Sequence, residues 1–167
     1  MKDIQFLIDR FNLEPHPEGG YFKEMYRSTG IIEKNSLPTS YQGKRNYSTC
    51  IYFLLTSDTF SAFHKIKQDE IWHFYSGSAL KLSMISENGN YSEHIIGADF
   101  NSGHVPQFVV PGEFWFGAKT LEPNSYSFVG CTVSPGFDFD DFILPSQTIL
   151  LEKYPQHEAI IRELTRP

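Results

Sequence analysis

Fifteen residues, FHKIKQDEIWHFYSG from Phe63 to Gly77, hold two histidines and two carboxylates and close on a glycine. Imidazole titrates near neutrality, and a carboxylate beside it can orient the ring and stabilise the imidazolium. His64 and Glu70 therefore form a candidate acid/base pair. The same residue types also ligate divalent metals, so spacing has to separate the two uses. Along a regular strand side chains alternate faces, which sets Glu70, Trp72 and Phe74 on one side and His73 and Tyr75 on the other. His73 is thus parted from Glu70 and reads as a hydrogen-bonded histidine in a sheet-packing layer or an interface.

Two further blocks carry charge. In HPEGGYFKEMYRS (His16 to Ser28), Glu18 and Arg27 could clamp a polar or anionic ligand, because guanidinium binds carboxylate and phosphate bidentately. Equally, His16 and Glu18 could cap a turn whose Gly19-Gly20 pair serves the backbone. Glu24 and Arg27 are candidates for the pocket. In GFDFDDF, Asp138 and Asp140 share a face and Asp141 takes the other, and at least one of these carboxylates should be buried with a partner.

These groups are positioned by a chain rich in short strand signals. From Tyr21 to about Leu144, runs such as YSTCIYFLL, EIWHFY, ALKLSMI, EFWFGA and YSFVGCTV alternate with turn signals such as Asn-Gly-Asn and Pro-Gly, at the spacing of a sandwich or small barrel of about ten strands. Ser28 to Arg45 has no clear period and reads as a long excursion or mobile lid. Ile4, Leu7, Ile8 and Phe11 recur at helical spacing, so residues 3 to 12 should form a helix lying on the main body. Ser146 and Pro155 open two further helical stretches that should also pack outside. With 167 residues and no linker or repeat, a single domain spanning 1–167 is expected.

A net charge of −6 and no basic run longer than Lys44-Arg45 argue against a nucleic-acid partner. The opening MKDIQFLIDRF lacks the apolar run of a signal peptide or membrane span, so a soluble, cytoplasmic protein without a membrane partner is expected. Cys50 and Cys131 lie in apolar strand-like runs and read as reduced thiols.

The opening stretch is similar to the right-hand part of the first cupin motif, G-x5-H-x-H-x3-E-x6-G. His64 takes the first histidine, Ile66 falls on the second, Glu70 takes the glutamate and Gly77 the last glycine. The second motif, G-x5-P-x-G-x2-H-x3-N, is looser: Val110-Pro111-Gly112 supplies its turn and Trp115 falls on its histidine. Over nearly the whole chain the sequence resembles the RmlC-like cupins, in a branch of unknown function, through HPEGGYFKEMYRS, IYFLL (Ile51 to Leu55), DEIWHFYSG (Asp69 to Gly77) and VSPGFDFDDF (Val133 to Phe142). The resemblance implies an all-β double-stranded β-helix, the cupin jelly roll, with a pocket inside the barrel and pairing as a homodimer.

A metal in a typical cupin takes three histidines and one carboxylate. Ile66 and Trp115 cannot donate to a metal, so no metal or other cofactor is expected. The related sugar-nucleotide epimerases work through a histidine base and a tyrosine acid. By that resemblance His64, Glu70 and Tyr52 are the catalytic candidates, with Glu24, Arg27, Trp72, Phe74 and Trp115 around the ligand. Tyr26 and Tyr75 are further tyrosines that could reach it. The resulting expectation is a small-molecule-binding cupin that epimerises or isomerises a sugar or sugar-nucleotide-like compound by proton transfer. The alternatives are a non-catalytic ligand-binding cupin and a metal-dependent oxygenase or isomerase with a degenerate ligand set.

Overall fold

Alternation of large apolar with smaller or polar residues from Tyr21 onward folds as strands in the computed structural model, which describes residues 2–166. In chain order these are β1 (Glu14–Pro15), β2 (Tyr21–Arg27), β3 (Ile31–Ile32), β4 (Arg45–Asn46), β5 (Thr49–Thr56), β6 (Ser61–His64), β7 (Asp69–Gly77), β8 (Leu80–Ile85), β9 (Tyr91–Ile96), β10 (Gln107–Val110), β11 (Trp115–Thr120) and β12 (Tyr126–Ser134). Helix α1 (Lys2–Phe11) precedes them, and α2 (Gln147–Lys153) and α3 (Glu158–Glu163) follow.

One sheet runs in the order β1-β2-β5-β12-β7-β10 and the other β6-β11-β8-β9, with β3-β4 a separate ribbon. Pairing between these strands is antiparallel, as in a jelly roll. Between the sheets, Phe53 and Trp72 from the larger meet Leu82, Met84 and Phe116 from the smaller. Strand period two is what delivers them, since every second residue of β5, β7, β8 and β11 faces inward.

Helices cover the outer faces. On α1, Ile4, Leu7, Ile8 and Phe11 lie over Leu54 and Phe128 of the larger sheet. Leu150, Tyr154, Ile161 and Leu164 from the last helices cover Phe63, Ile85 and Trp115 of the smaller. Ser146 Oγ accepts from the Ile149 N–H and caps α2. No helix among the described residues is long and apolar enough to cross a membrane.

The excursion expected to be a mobile lid is pinned instead. Asp141, almost wholly buried, accepts two hydrogen bonds of 2.7 Å from Arg45 Nε and Nη2, one of 2.9 Å from Lys67 Nζ and one of 2.8 Å from Gln68 Nε2. Lys67 also donates to the Ser40 carbonyl, and the Tyr41 ring lies against both cations. Burial would raise the Asp141 pKa, but these donors outweigh it and hold it below the ordinary value. Asp141 is the buried carboxylate of the GFDFDDF block, and it ties the excursion to the segment that carries Phe137, Phe139 and Phe142.

Candidate functional site

The turn at 16–20 aims the site's most buried acid. His16 N–H donates to the Gly20 carbonyl and Gly19 N–H to the His16 carbonyl, both at 3.0 Å. Gly19 and Gly20 have φ of +117° and +72°, and a Cβ on Gly19 would overlap the Phe60 carbonyl and the Arg166 guanidinium. Only glycine meets both conditions. Gly19→Ala is expected to cost about 1–3 kcal/mol or more, read as a lower urea midpoint. From outside, Arg166 Nη1 donates to the Glu18 carbonyl (2.8 Å) while its guanidinium stacks on Phe60. The Phe63 N–H donates to the Leu164 carbonyl (2.7 Å).

The turn opens onto a cavity of about 260 Å³ inside the barrel. His16, Glu18, His64, Glu70 and Cys131 give it its polar groups, Phe22, Ile51, Phe53, Ile66 and Val133 its apolar wall, and Glu24, Arg27 and Asp138 lie with Phe137, Phe139 and Phe142. Phe139 is more than half exposed, which marks the mouth. Phe137, Phe139 and Phe142 meet edge to face.

His64 has both nitrogens engaged. Nδ1 lies 2.7 Å from the Ala62 carbonyl, which can only accept, so Nδ1 carries a hydrogen. Nε2 lies 3.1 Å from Glu18 Oε2, and Glu18 Oε1 accepts from Ser61 Oγ at 2.7 Å. One proton must therefore be shared between His64 Nε2 and Glu18. Burial pushes the Glu18 pKa up and the His64 pKa down, so the neutral pair is favoured, with Glu18 protonated and donating to Nε2.

His16 is arranged the other way round. Its Nδ1 lies 3.4 Å from both the Glu18 backbone N–H and Glu18 Oε2. With Glu18 protonated the backbone N–H is the donor to Nδ1, and Nε2 carries the hydrogen of the neutral ring with no partner among the described residues. Burial lowers the His16 pKa, Glu18 opposing and His64 adding to the effect. A neutral imidazole N–H on a cavity wall is a ready hydrogen-bond donor.

Glu70 is the uncommitted acid. It is 8% exposed and in no ion pair among the described residues. Burial pushes its pKa up to about 7, His64 opposing and Glu18 adding to the rise. The Cys131 thiol and the Trp72 indole also favour its anion, but the Trp72 Nε1–H reaches no hydrogen bond of ordinary geometry and is buried without a partner. A carboxyl poised near neutrality is suited to take and return protons.

The other expected residues are distributed differently. Glu24 and Arg27 line the cavity, but both Glu24 oxygens accept from Arg27 (2.9 and 2.7 Å), and Arg27 Nη1 also donates to Asn46 Oδ1 and the Phe137 carbonyl. The guanidinium fork is thus occupied from within the protein. Trp72 and Phe74 sit in the inter-sheet core behind the cavity rather than on its wall. Tyr52 corrects the expectation of a tyrosine acid: Ile51 and Phe53 face the cavity, so Tyr52 faces outward, against Phe11 and Tyr75. Tyr75 follows it.

Trp115 is a second correction. It faces the outer core beneath the last helices, with Lys65 Nζ over its ring. Phe116 pairs with His64 across β11 and β6, their rings 4.1 Å apart, so the position opposite His64 belongs to Phe116, one residue on. His73 faces outward and bonds Thr132 Oγ1 at 3.1 Å. Cys50 and Cys131 are free thiols on opposite faces, Cys131 lining the cavity and Cys50 meeting Thr132 on the outer side.

A metal of the usual cupin kind does not fit this lining. Ile66 stands at one ligand position of the motif, neither Trp115 nor the adjacent Phe116 can ligate, and both nitrogens of His64 are occupied. Among the described residues no three His, Cys, Asp or Glu side chains converge as a metal site. Sequence reasoning offered Glu18 as a ligand clamp with Arg27 and His16 only as a turn cap; what it missed was the pairing of Glu18 with His64 and the place of His16 on the cavity wall. HPEGG was the available signal, since two glycines that force a turn directly after an acid aim that acid inward.

Comparison with known proteins gives consistent matches. The family model described as "Cupin superfamily (DUF985)" covers residues 5–145. An uncharacterized protein of Saccharomyces cerevisiae is 36% identical over 148 residues, 83% of this chain and 73% of that one. Among solved structures, a hypothetical protein from Leishmania major superimposes with a TM-score of 0.89 at 35% identity over 98% of both chains. A protein from Shewanella oneidensis gives 0.85 at 40% identity over 96% of both. Oxalate decarboxylase from Bacillus subtilis, at 14% identity, a TM-score of 0.53 and 90% of this chain against 36% of its own, shares the fold.

Proposed function

The chain belongs to the cupin superfamily family DUF985, and from its cavity we propose that it binds a monosaccharide-sized carbonyl compound and isomerises or epimerises it by proton transfer. Glu70 carries this reading: a buried carboxyl lining a cavity, free of ion pairs, with a pKa of about 7. Near neutral pH both its acid and its carboxylate form are accessible. The carboxylate takes the proton from the carbon beside the carbonyl, and the resulting enolate oxygen accepts a hydrogen bond from His16 Nε2–H. Isomerisation is completed when Glu70 returns the proton to the neighbouring carbon and the hydroxyl proton of the first carbon passes to the enolate oxygen. Epimerisation is completed when the enolate turns in the cavity and takes the proton back from Glu70 on its opposite face.

His64 acts through Glu18 in this scheme. With Ser61 it holds the Glu18 carboxyl, which fixes the His16 ring through the turn and keeps a second full negative charge away from Glu70. At about 260 Å³ the cavity is below the roughly 300–1,000 Å³ typical of drug-sized ligands, so a nucleotide would not enter with its sugar. The half-buried His73 and exposed Tyr75 mark a part of the larger sheet's outer face where a homodimer could form beside α1.

The test is deuterium wash-in. In D2O, with aldoses, ketoses and keto sugars, loss of the proton signal beside the carbonyl should run faster with the protein than in buffer. Sugars that bind, by saturation-transfer NMR, without any wash-in would defeat the reading and favour a ligand-binding cupin without catalysis.

A further inference from the structure

With Glu18 held neutral against His64, the cavity-lining carboxyls that can carry a full charge are Glu24, Glu70 and Asp138, against Arg27 alone. Arg27 is spent on Glu24, which takes both Nε and Nη2 (2.9 and 2.7 Å), and on Asn46 and the Phe137 carbonyl. Nearby cations outside the lining are committed as well: Arg45 and Lys67 to Asp141, Lys65 to Glu113, and Arg166 to the Glu18 and Phe60 carbonyls from outside the turn. An anion entering this space would meet carboxyls and no free cation. Asp138, which lines the cavity with its chain neighbours Phe137 and Phe139, spends Oδ1 on the Asp140 N–H (2.9 Å) and has no hydrogen bond to Oδ2 among the described residues. Glu70, more than nine-tenths buried, lies deeper and has no ionic partner. Arg27 and Arg45 act on Asp138 only from beyond ion-pair distance, and three phenylalanines beside a carboxylate in no ion pair among the described residues are surroundings that favour an organic cation, through ring faces and charge together.

We infer that the ligand carries a positively charged amino group, making the substrate class an amino-substituted carbonyl compound such as an amino sugar. The inference rests on the cavity being the ligand site, as in the proposed function, and adds its charge. The ammonium sits at the mouth, where Asp138 Oδ2 and the rings of Phe137 and Phe139 meet it. The carbonyl end points inward to Glu70 and His16. A phosphate or carboxylate in place of the amine is excluded by the same charges.

Two charge series test this on the whole protein by saturation-transfer NMR and calorimetry: glucosamine, glucose and glucuronate, and the smaller propylamine, propanol and propionate. The ammonium member should bind at least tenfold more tightly than the neutral one in one or both series, and the carboxylate member least. Asp138→Asn keeps the oxygen that caps the Asp140 N–H and should reduce the ammonium-to-neutral preference about tenfold, with unchanged far-UV circular dichroism. An equal or reversed order in both series, no ammonium binding in either at millimolar concentration, or a preference untouched by Asp138→Asn overturns the inference. Ammonium preference without deuterium wash-in leaves it standing and removes the proton-transfer reading. Wash-in on neutral sugars without ammonium preference does the reverse.

Discussion

Glu70→Gln is expected to lower deuterium wash-in by about 10²–10⁴-fold while making the folded protein more stable at pH 8. The amide fills the same space but cannot take a proton. The stability change follows from the carboxyl's own titration. Its ordinary value is 4.5, and in the folded protein it is about 7. Between those pH values the unfolded chain has released a proton that the folded chain still holds, so stability falls as pH rises from about 4.5 to about 7 and is flat beyond. Integrated, this penalty is on the order of 3 kcal/mol. Glutamine removes it, so the urea midpoint of the variant should exceed that of the unaltered protein at pH 8, with the gap closing toward pH 4.5. A gap of the same size at both pH values would mean that Glu70 does not titrate in this window. His16→Ala should keep the fold and cost about 10²–10³-fold, the usual effect of losing one donor to a developing oxyanion.

Asp141→Ala should be the most damaging single change to the fold, costing about 3–5 kcal/mol. It leaves Arg45, itself 3% exposed, as a buried cation with no carboxylate, and strips Gln68 Nε2 of its acceptor as well. The pair Arg45→Met with Asp141→Leu should recover most of that loss, because burying two apolar groups of similar volume avoids desolvating both charges. Lys67 is partly exposed and can turn to water. Guanidinium unfolding of the single and double variants measures both. Equal loss in the two would show that the pair's shape, rather than its charge, holds the excursion.

Period-two alternation made most of the barrel legible. It separated His73 from Glu70 and set Trp72 inward, because β7 is regular over the residues that matter. The same rule applied to β5 would have put Tyr52 outward, since Ile51 and Phe53 are its inward neighbours. Motif spacing was less reliable. It set Trp115 at the histidine of the second motif and around the ligand, whereas the register of β11 against β6 turns Phe116, one residue later and on the other face, toward His64. A single-residue offset in a loop reverses sidedness, and spacing counted through a loop cannot detect it. Glu18 was hardest to see because its partners, Ser61 and His64, are more than forty residues away in sequence, and no local pattern reports a contact of that range. The excursion misled for a related reason: its polarity is that of a lid, but its anchor lies 96 residues on.

The hold that residues 164 to 166 exert on β6 and on the Glu18 turn has a consequence for biosynthesis. Arg166 reaches a carbonyl 148 positions earlier, and Leu164 supports the strand that carries His64. Sheet pairing can begin on the ribosome as hairpins emerge, but these latches close only after translation has passed residue 166. Closures of such sequence separation are the slow ones. A nascent chain halted before that point would carry every residue of the cavity wall and still lack the clasp that sets its acid.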